Sequence, residues 1–265
     1  MIQNDGDMKR FIVDAFVGEG FRGNRAAVVE LEEWLADGEM LAAAKDNGLP
    51  ETAFFKRCGD HFALRWFTPD IEMDLCGHAT LATAHVVAHI LGAERSRIHF
   101  ETASGDVFVD VAPDGMLTLD FPSRMPLPDV LPTQIAEALS VKPKEVLKSR
   151  DYVLLYDSQE EIEQMRIDRA LFDRINIDPG GVVITAAGRS CDFVSRFFTP
   201  QATILEDPVT GSAHCSLVPF WAERLGKEEM VAQQLSATGG VLYCRNCGAR
   251  VHISGYASEA APDGI

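Results

Sequence analysis

Apolar and polar residues alternate along much of the chain in short runs bounded by Gly, Pro and Asx positions, a pattern of strands and tight turns. HFALRWF (61–67) and CDFVSRFF (191–198) are aromatic-rich strands. Pro69 and Pro200 end them, because proline has no N–H to give to a ladder. MKRFIVDAFV near the start, RIHFETASGDVFVDVAPDGMLTLDF in the middle and GGVLYCRNCGARVHIS near the end alternate in the same way. Turns are predicted at Ser104-Gly105, Asp114-Gly115 and Asn246-Cys247-Gly248. Two stretches read instead as helices. From Gly77 to Leu91 apolar residues cover every side, so this helix is predicted to be buried all round, with Gly92 as its stop. The second, Ser212 to Leu225, carries Leu217, Val218, Phe220 and Trp221. Segments 132–140 and 159–173 are predicted as short surface helices.

These elements repeat. RWFTPDIEMDLCGHATLATAHVVAHILG (65–92) and RFFTPQATILEDPVTGSAHCSLVPFWAERLG (196–226) share one order: Arg-aromatic-Phe-Thr-Pro, an acidic segment, Gly with small polar residues, an apolar helix, Leu-Gly. Two similar halves follow, each with a strand, a proline-ended turn, a loop and a helix. The proline-rich stretch FPSRMPLPDVLP (121–132) joins them, giving halves 1–122 and 123–265. The expected class is α/β (α+β), with each half a curved mixed sheet wrapped around a central helix.

Composition narrows the function. The 265 residues are 46% hydrophobic and 24% charged, which fits a soluble globular protein rather than a disordered chain. Asp and Glu number 40 against 24 Lys and Arg, a formal charge of -16. A nucleic-acid binder or a protein of acidic membrane surfaces would carry a basic surplus, so neither is expected as a partner. No run of about 18 apolar residues suggests a transmembrane helix. The polar start MIQNDGDMKR lacks the apolar core of a secretory signal. The six cysteines (58, 76, 191, 215, 244, 247) show no small-scaffold spacing, which favours reduced thiols and a cytoplasmic setting.

Chemistry is expected at the two helix starts, Gly77-His78-Ala79 and Gly211-Ser212-Ala213. A helix N-terminus presents unpaired N–H groups and a partial positive charge, suited to an anion. The plainer reading is that both glycines only permit tight turns; their recurrence favours the functional one.

The segments VDAFVGEGFRGNRAAVV (13–29), LPETAFF (49–55), LRWFTPDIEMDLCGHATLATAHV (64–86), FETASG (100–105) and FFTPQATILEDPVTGSAH (197–214) resemble the PhzF-like phenazine-biosynthesis family, within the diaminopimelate epimerase-like superfamily. CGHAT and EDPVTGSAH are the most specific of them. The resemblance implies the diaminopimelate epimerase-like fold with two pseudo-symmetric halves and a cleft between them. It implies a cofactor-independent isomerase that shifts a proton on a small carboxylate-bearing metabolite, with no metal, and a homodimer by default. It makes Glu51 the general acid/base, set among apolar neighbours whose desolvation raises a carboxyl pKa. Pro50 stands where many relatives have Ser. It makes His78, Asp207 and Ser212 substrate contacts, with backbone N–H groups at Gly77 and Gly211 receiving the carboxylate. Without the resemblance these residues read as a strand-start glutamate and ordinary helix-start polar groups, and Glu206 reads as solvated.

Superfamily epimerases pair two cysteines, one from each half. Cys76 takes the first such place, but Thr210 takes the second and cannot serve as a thiolate base. A two-base epimerase or racemase is therefore the weaker, rival reading, and a catalytically silent ligand-binding or interaction protein of the same fold the third. Cys76 itself reads as a small buried residue. His85 and His89, at i and i+4, read as core or interface histidines rather than a metal pair. Cys244-Arg245-Asn246-Cys247 is a lone CxxC at a hairpin, and Gly18, Gly20 and Gly23 do not form a dinucleotide fingerprint.

Overall fold

A computed structural model describes residues 3–5, 8–93, 95–178 and 180–260. Chain order runs β1 (Gln3–Asp5), β2 (Met8–Val17), β3 (Asn24–Glu30), α1 (Asp37–Asn47), β4 (Glu51–Cys58), β5 (His61–Phe67), β6 (Glu72–Met73), α2 (Gly77–His85), β7 (Arg97–Thr102), β8 (Gly105–Val111) and β9 (Leu117–Pro122). It continues through β10 (Leu127–Pro128), α3 (Thr133–Ala138), β11 (Glu145–Lys148), β12 (Tyr152–Leu155), α4 (Gln159–Gln164), α5 (Arg169–Phe172), β13 (Val182–Ala187), β14 (Phe193–Phe198), β15 (Glu206–Asp207), α6 (His214–Leu225), β16 (Glu229–Gln234), β17 (Gly240–Cys247) and β18 (Arg250–Glu259). The chain forms two compact units. One runs to Asp120 and takes up the chain again from Ser254; the other is Phe121–Ile253. Compared with halves at 1–122 and 123–265, the difference lies in the last strand, which pairs with β2 from Tyr256 onward.

In the first unit β2 pairs antiparallel with β3, β3 parallel with β4, β4 antiparallel with β5, β5 parallel with β7, and β7–β8–β9 antiparallel. β18 pairs with both β2 and β9, so the ring of strands closes. Thr118 and Ser254 hydroxyls, 2.8 Å apart, tie that closure. Inside lies α2, and every residue from Gly77 to Ala84 is buried. This is the outcome its all-round apolar sequence requires; each fully buried aliphatic side chain is worth about 1.5–3 kcal/mol. The helix does not run evenly to Leu91. After His85 it widens into a π turn over Val86–Ile90, and Gly92 then takes φ 67°. On the outer face, Met40 and Ala44 of α1 pack on Val29, Leu31, Phe54 and Phe67.

The second unit repeats the order. β11–β12 is antiparallel, β12–β13 parallel, β13–β14 antiparallel, β14–β16 parallel and β16–β17 antiparallel. Alternation along β13 divides its two faces. Val182, Ile184 and Ala186 meet Ile135, Ile162, Met165 and Phe172 from the predicted surface helices. On the other face, Thr185 Oγ1 accepts from Trp221 Nε1 at 3.0 Å, and the Trp221 ring stacks on Phe193. α6 contains Pro219, whose missing N–H would otherwise bond the carbonyl of Cys215. The Arg124 N–H fills that place at 2.8 Å.

Registers make the repeat exact at residue level. Phe67 faces Glu72, and Trp66 faces Met73; likewise Phe198 faces Glu206, and Phe197 faces Asp207. The Arg that opens each repeat grips the acid across this turn with two bonds. Arg65 reaches Glu72 at 2.7 and 2.7 Å, and Arg196 reaches Glu206 at 2.7 and 2.9 Å. Glu206 is therefore a paired, half-buried carboxylate and not a solvated one.

Candidate active site

Glu51 opens β4, its backbone in register with Ala26 of β3. The strand start is fixed by Asn47, whose amide donates to Thr52 Oγ1 (2.9 Å) and accepts from Arg10 (2.6 Å). Glu51 is 8% exposed. His78 is the second residue of α2 and 2% exposed. Its Nε2 lies 3.3 Å from Glu51 Oε2, at an angle that leaves this nitrogen without a formal hydrogen bond. Its Nδ1 lies 3.6 Å from the Cys76 thiol sulfur. Burial pushes the His78 pKa down to about 3, so at neutral pH the ring is uncharged and its contact with Glu51 is not an ion pair. A neutral imidazole carries one N–H and one acceptor nitrogen. It stands here with a carboxyl at one nitrogen and a thiol at the other.

Cys76, the residue before α2, gives that helix no side-chain cap. Thr210, before the second helix start, gives none either. Neither preceding side chain therefore caps the first turn that follows it. Thr80 donates to the Cys76 carbonyl at 2.5 Å, and His214, the matching residue, donates Nδ1–H to the Thr210 carbonyl at 2.9 Å.

In the second unit, Asp207 in β15 and Ser212 beside Gly211 fall within one short segment, and Ser212 is buried. Thr210 Oγ1 donates to Asp207 Oδ2 at 2.5 Å. A residue that the sequence reading did not single out holds this segment. Gln234, 1% exposed, accepts from the Thr210 N–H (2.8 Å) and donates to the Asp207 carbonyl (2.8 Å). Its one sequence signal is an amide at an inward position, after buried Met230 and Ala232 in β16.

The registers also show what the second unit lacks. With Phe67 and Phe198 matched, Thr52 corresponds to Val182 and Glu51 to Gly181. A β-carbon on Gly181 would lie 2.2 Å from the Phe197 ring, so that ring fills the place of a side chain there. By the same matching, Cys76 corresponds to Thr210 and His78 to Ser212. The titratable set is thus present in one unit and absent from its counterpart.

Other candidates fall away. His85 is half-buried and His89 exposed, their rings 5.1 Å apart. Cys244 is buried and Cys247 exposed on one strand, so the CxxC is not a paired site. Gly23 has φ 79°, and a β-carbon there would meet the Ala15 carbonyl at 2.3 Å, which makes it a backbone glycine and not part of a nucleotide loop.

A ring of mixed strands closed around a buried helix in the first unit, the same strand order repeated in the second, and a buried carboxyl beside an imidazole at the first helix start place the chain in the epimerase-like fold class. The chain matches the model of the phenazine biosynthesis-like proteins (PhzC-PhzF) over residues 13–259 and belongs to that family. An uncharacterized isomerase of Pseudomonas aeruginosa is 46% identical over 246 residues, covering 92% of this chain and 93% of the relative. The crystal structure of a PhzF-family phenazine biosynthesis protein from Enterococcus faecalis superposes with a TM-score of 0.87 at 42% identity, over 95% of this chain and 96% of that one. A hydroxyproline epimerase from Agrobacterium vitis shares the fold alone, with a TM-score of 0.64 at 12% identity over 97% and 90% of the two chains. Among the described residues no helix is long and apolar enough to cross a membrane.

Proposed function

We propose that the chain is an isomerase that moves a proton at a carbon of a small carboxylate-bearing substrate, with Glu51 as the acid/base. The observation that carries this reading is the one-sided chemistry: a carboxyl against a neutral imidazole in the first unit, and Gly181, Thr210 and Ser212 at the matching positions of the second. A two-base epimerase needs a second acid or thiol at the matching positions, and Gly181, Thr210 and Ser212 supply none; Asp207, the acid of this segment, accepts a hydrogen bond from the Thr210 hydroxyl. A single carboxyl that takes a proton from one carbon and returns it to another needs only the first.

In this reading the carboxylate of Glu51 accepts the carbon-bound proton, and the carboxylic acid so formed delivers it. His78 stands beside Glu51 as the candidate substrate contact of this unit and stays uncharged. A neutral partner leaves the carboxyl more basic than an imidazolium would, which suits proton abstraction. Backbone N–H groups at the Gly77 helix start receive a substrate carboxylate, and those at the Gly211 start are the matching candidate anion cradle of the second unit. Asp207 and Ser212 are the second unit's candidate contacts for an amino or hydroxyl group. Charge that develops on the substrate meets fixed backbone dipoles, which need no reorganisation during reaction. The surplus surface acid is no obstacle, because this cradle uses backbone N–H groups rather than Lys or Arg.

The test is exchange of carbon-bound hydrogen in deuterated buffer across a panel of small amino, hydroxy and unsaturated carboxylates, read by proton NMR. The expected result is deuterium uptake into at least one of them, with Glu51→Gln slowing it by roughly a hundredfold or more. No uptake by any, together with no shift in melting temperature, would favour a catalytically silent interaction protein of the same fold.

A further inference from the structure

We propose that Glu51, Cys76 and His78 form a binding site for one thiophilic divalent cation, Zn2+ by preference, and that the ion inhibits the protein by occupying its acid/base pair. The site stands on the side-chain cluster alone; only the inhibition rests on the isomerase reading.

Among the described residues, these three alone bring a carboxylate oxygen, a thiol sulfur and an imidazole nitrogen within 4.8 Å of one another. Tetrahedral zinc bonded to N, O and S has its ligand atoms roughly 3.3–3.8 Å apart. The spacings here are 3.6 Å from Cys76 Sγ to His78 Nδ1 and 3.3 Å from His78 Nε2 to Glu51 Oε2. The two spacings meet opposite nitrogens of the ring, so a single ion takes one of them; one ligand atom from each of the three residues lies within 4.8 Å of the other two, and the side chain facing the other nitrogen closes the remaining distance as the ion binds. The His78 Nε2 is a buried polar atom without a hydrogen bond, in a side chain 98% removed from solvent. Such an atom gains from a metal bond what it does not gain from the fold.

Charge favours the ion as well. Zn2+ displaces the thiol proton to solvent as the Zn–S bond forms, and thiolate, carboxylate and ion then sum to zero. A neutral cluster is the form in which charge is tolerated at low dielectric. Thiolate with imidazole selects Zn2+ over Mg2+ or Ca2+, which prefer oxygen. Three protein ligands leave the fourth position to a water molecule. The second unit supplies the internal control: its matching residues, Gly181, Thr210 and Ser212, offer no such set, so one ion per chain is expected.

Reduced protein titrated with Co2+ without oxygen tests this by thiolate-to-cobalt charge-transfer absorption. The expected result is a band that saturates at one Co2+ per chain and is abolished by one equivalent of Zn2+. Cys76→Ser should remove it, and Cys247→Ser, which alters the exposed cysteine, should leave it unchanged. His78→Gln and Glu51→Gln should each weaken binding at least by the roughly tenfold that even an outer-shell loss costs. Thermal unfolding of each variant establishes that it is folded. No band in the folded wild-type protein, or a band that survives Cys76→Ser, overturns the site. A Zn2+-bound protein that still exchanges substrate hydrogen leaves the site standing and overturns the isomerase role of Glu51.

Discussion

Two buried imidazoles set the protein's response to acid. Burial pushes His78 down to about 3 and His214 to about 4. An unfolded chain protonates each near pH 6.5, while the folded chain keeps both neutral well below that. The unfolded state therefore binds more protons between about pH 4 and 6.5. Stability is fully present above 6.5 and falls as pH drops through this window. His214→Gln keeps an amide to donate to the Thr210 carbonyl but cannot titrate. It should flatten the slope of unfolding free energy against pH between 4 and 6.5 by about 1 kcal/mol per pH unit. Urea unfolding at several pH values measures this; an unchanged slope would remove His214 from the account. At this scale the sequence was legible where one residue type implies one job, as with His78 at a helix start. It was not legible where the job is set by a partner far along the chain. Arg196 pairing Glu206 follows from strand register, and so does Gln234 reaching Thr210.

At the level of elements, the loop from Asp207 to Thr210 depends on Gln234 for two backbone hydrogen bonds. Gln234→Ala leaves a buried Thr210 N–H without its acceptor, at a cost of about 1–3 kcal/mol and a fall in melting temperature of roughly 2–10 °C. If Asp207 and Ser212 hold substrate, the same variant raises KM more than it lowers kcat. Calorimetry checks the first expectation, and an unaltered melting temperature would contradict it. The central helix α2 and the strands β2, β5, β7, β8, β9, β14, β17 and β18 were readable from periodicity alone, because burial on all sides and alternation leave plain patterns, whereas β3, β4, β12, β13 and β16 were not singled out. α1 was not anticipated. Its apolar residues form only a narrow stripe, and Met40 and Ala44 are its buried members. The π turn after His85 has no sequence signal that we can name. The Arg124 N–H that replaces the bond lost at Pro219 shows how the proline-rich joining segment completes a helix instead of merely linking halves.

For the whole molecule, the internal repeat is the organising fact, and the shared order from Arg-aromatic-Phe-Thr-Pro to Leu-Gly revealed it. The repeat conserves architecture while the chemistry diverges. Where the first copy places Glu51, the second has Gly181, and the Phe197 ring fills the space beside it. Gly181→Ala should therefore destabilise by about 1–3 kcal/mol through overpacking. Phe197→Leu in the same chain should recover part of that loss, so the double variant is more stable than the sum of the single changes. Strict additivity in denaturant unfolding would mean that the ring and Gly181 are not in competition. What the sequence did not reveal at this scale is the return of the final strand. β18 pairs with β2 at the opposite end of the chain, and such long-range pairing leaves no local pattern.

The central claim is that proton transfer at carbon belongs to Glu51 and not to the neighbouring thiol. The most direct measurement compares Glu51→Gln with Cys76→Ala on a carboxylate whose hydrogen the wild-type protein exchanges with deuterated solvent. The expected result is exchange abolished in Glu51→Gln and retained in Cys76→Ala, with both variants folded. Exchange retained in Glu51→Gln and abolished in Cys76→Ala would contradict the account.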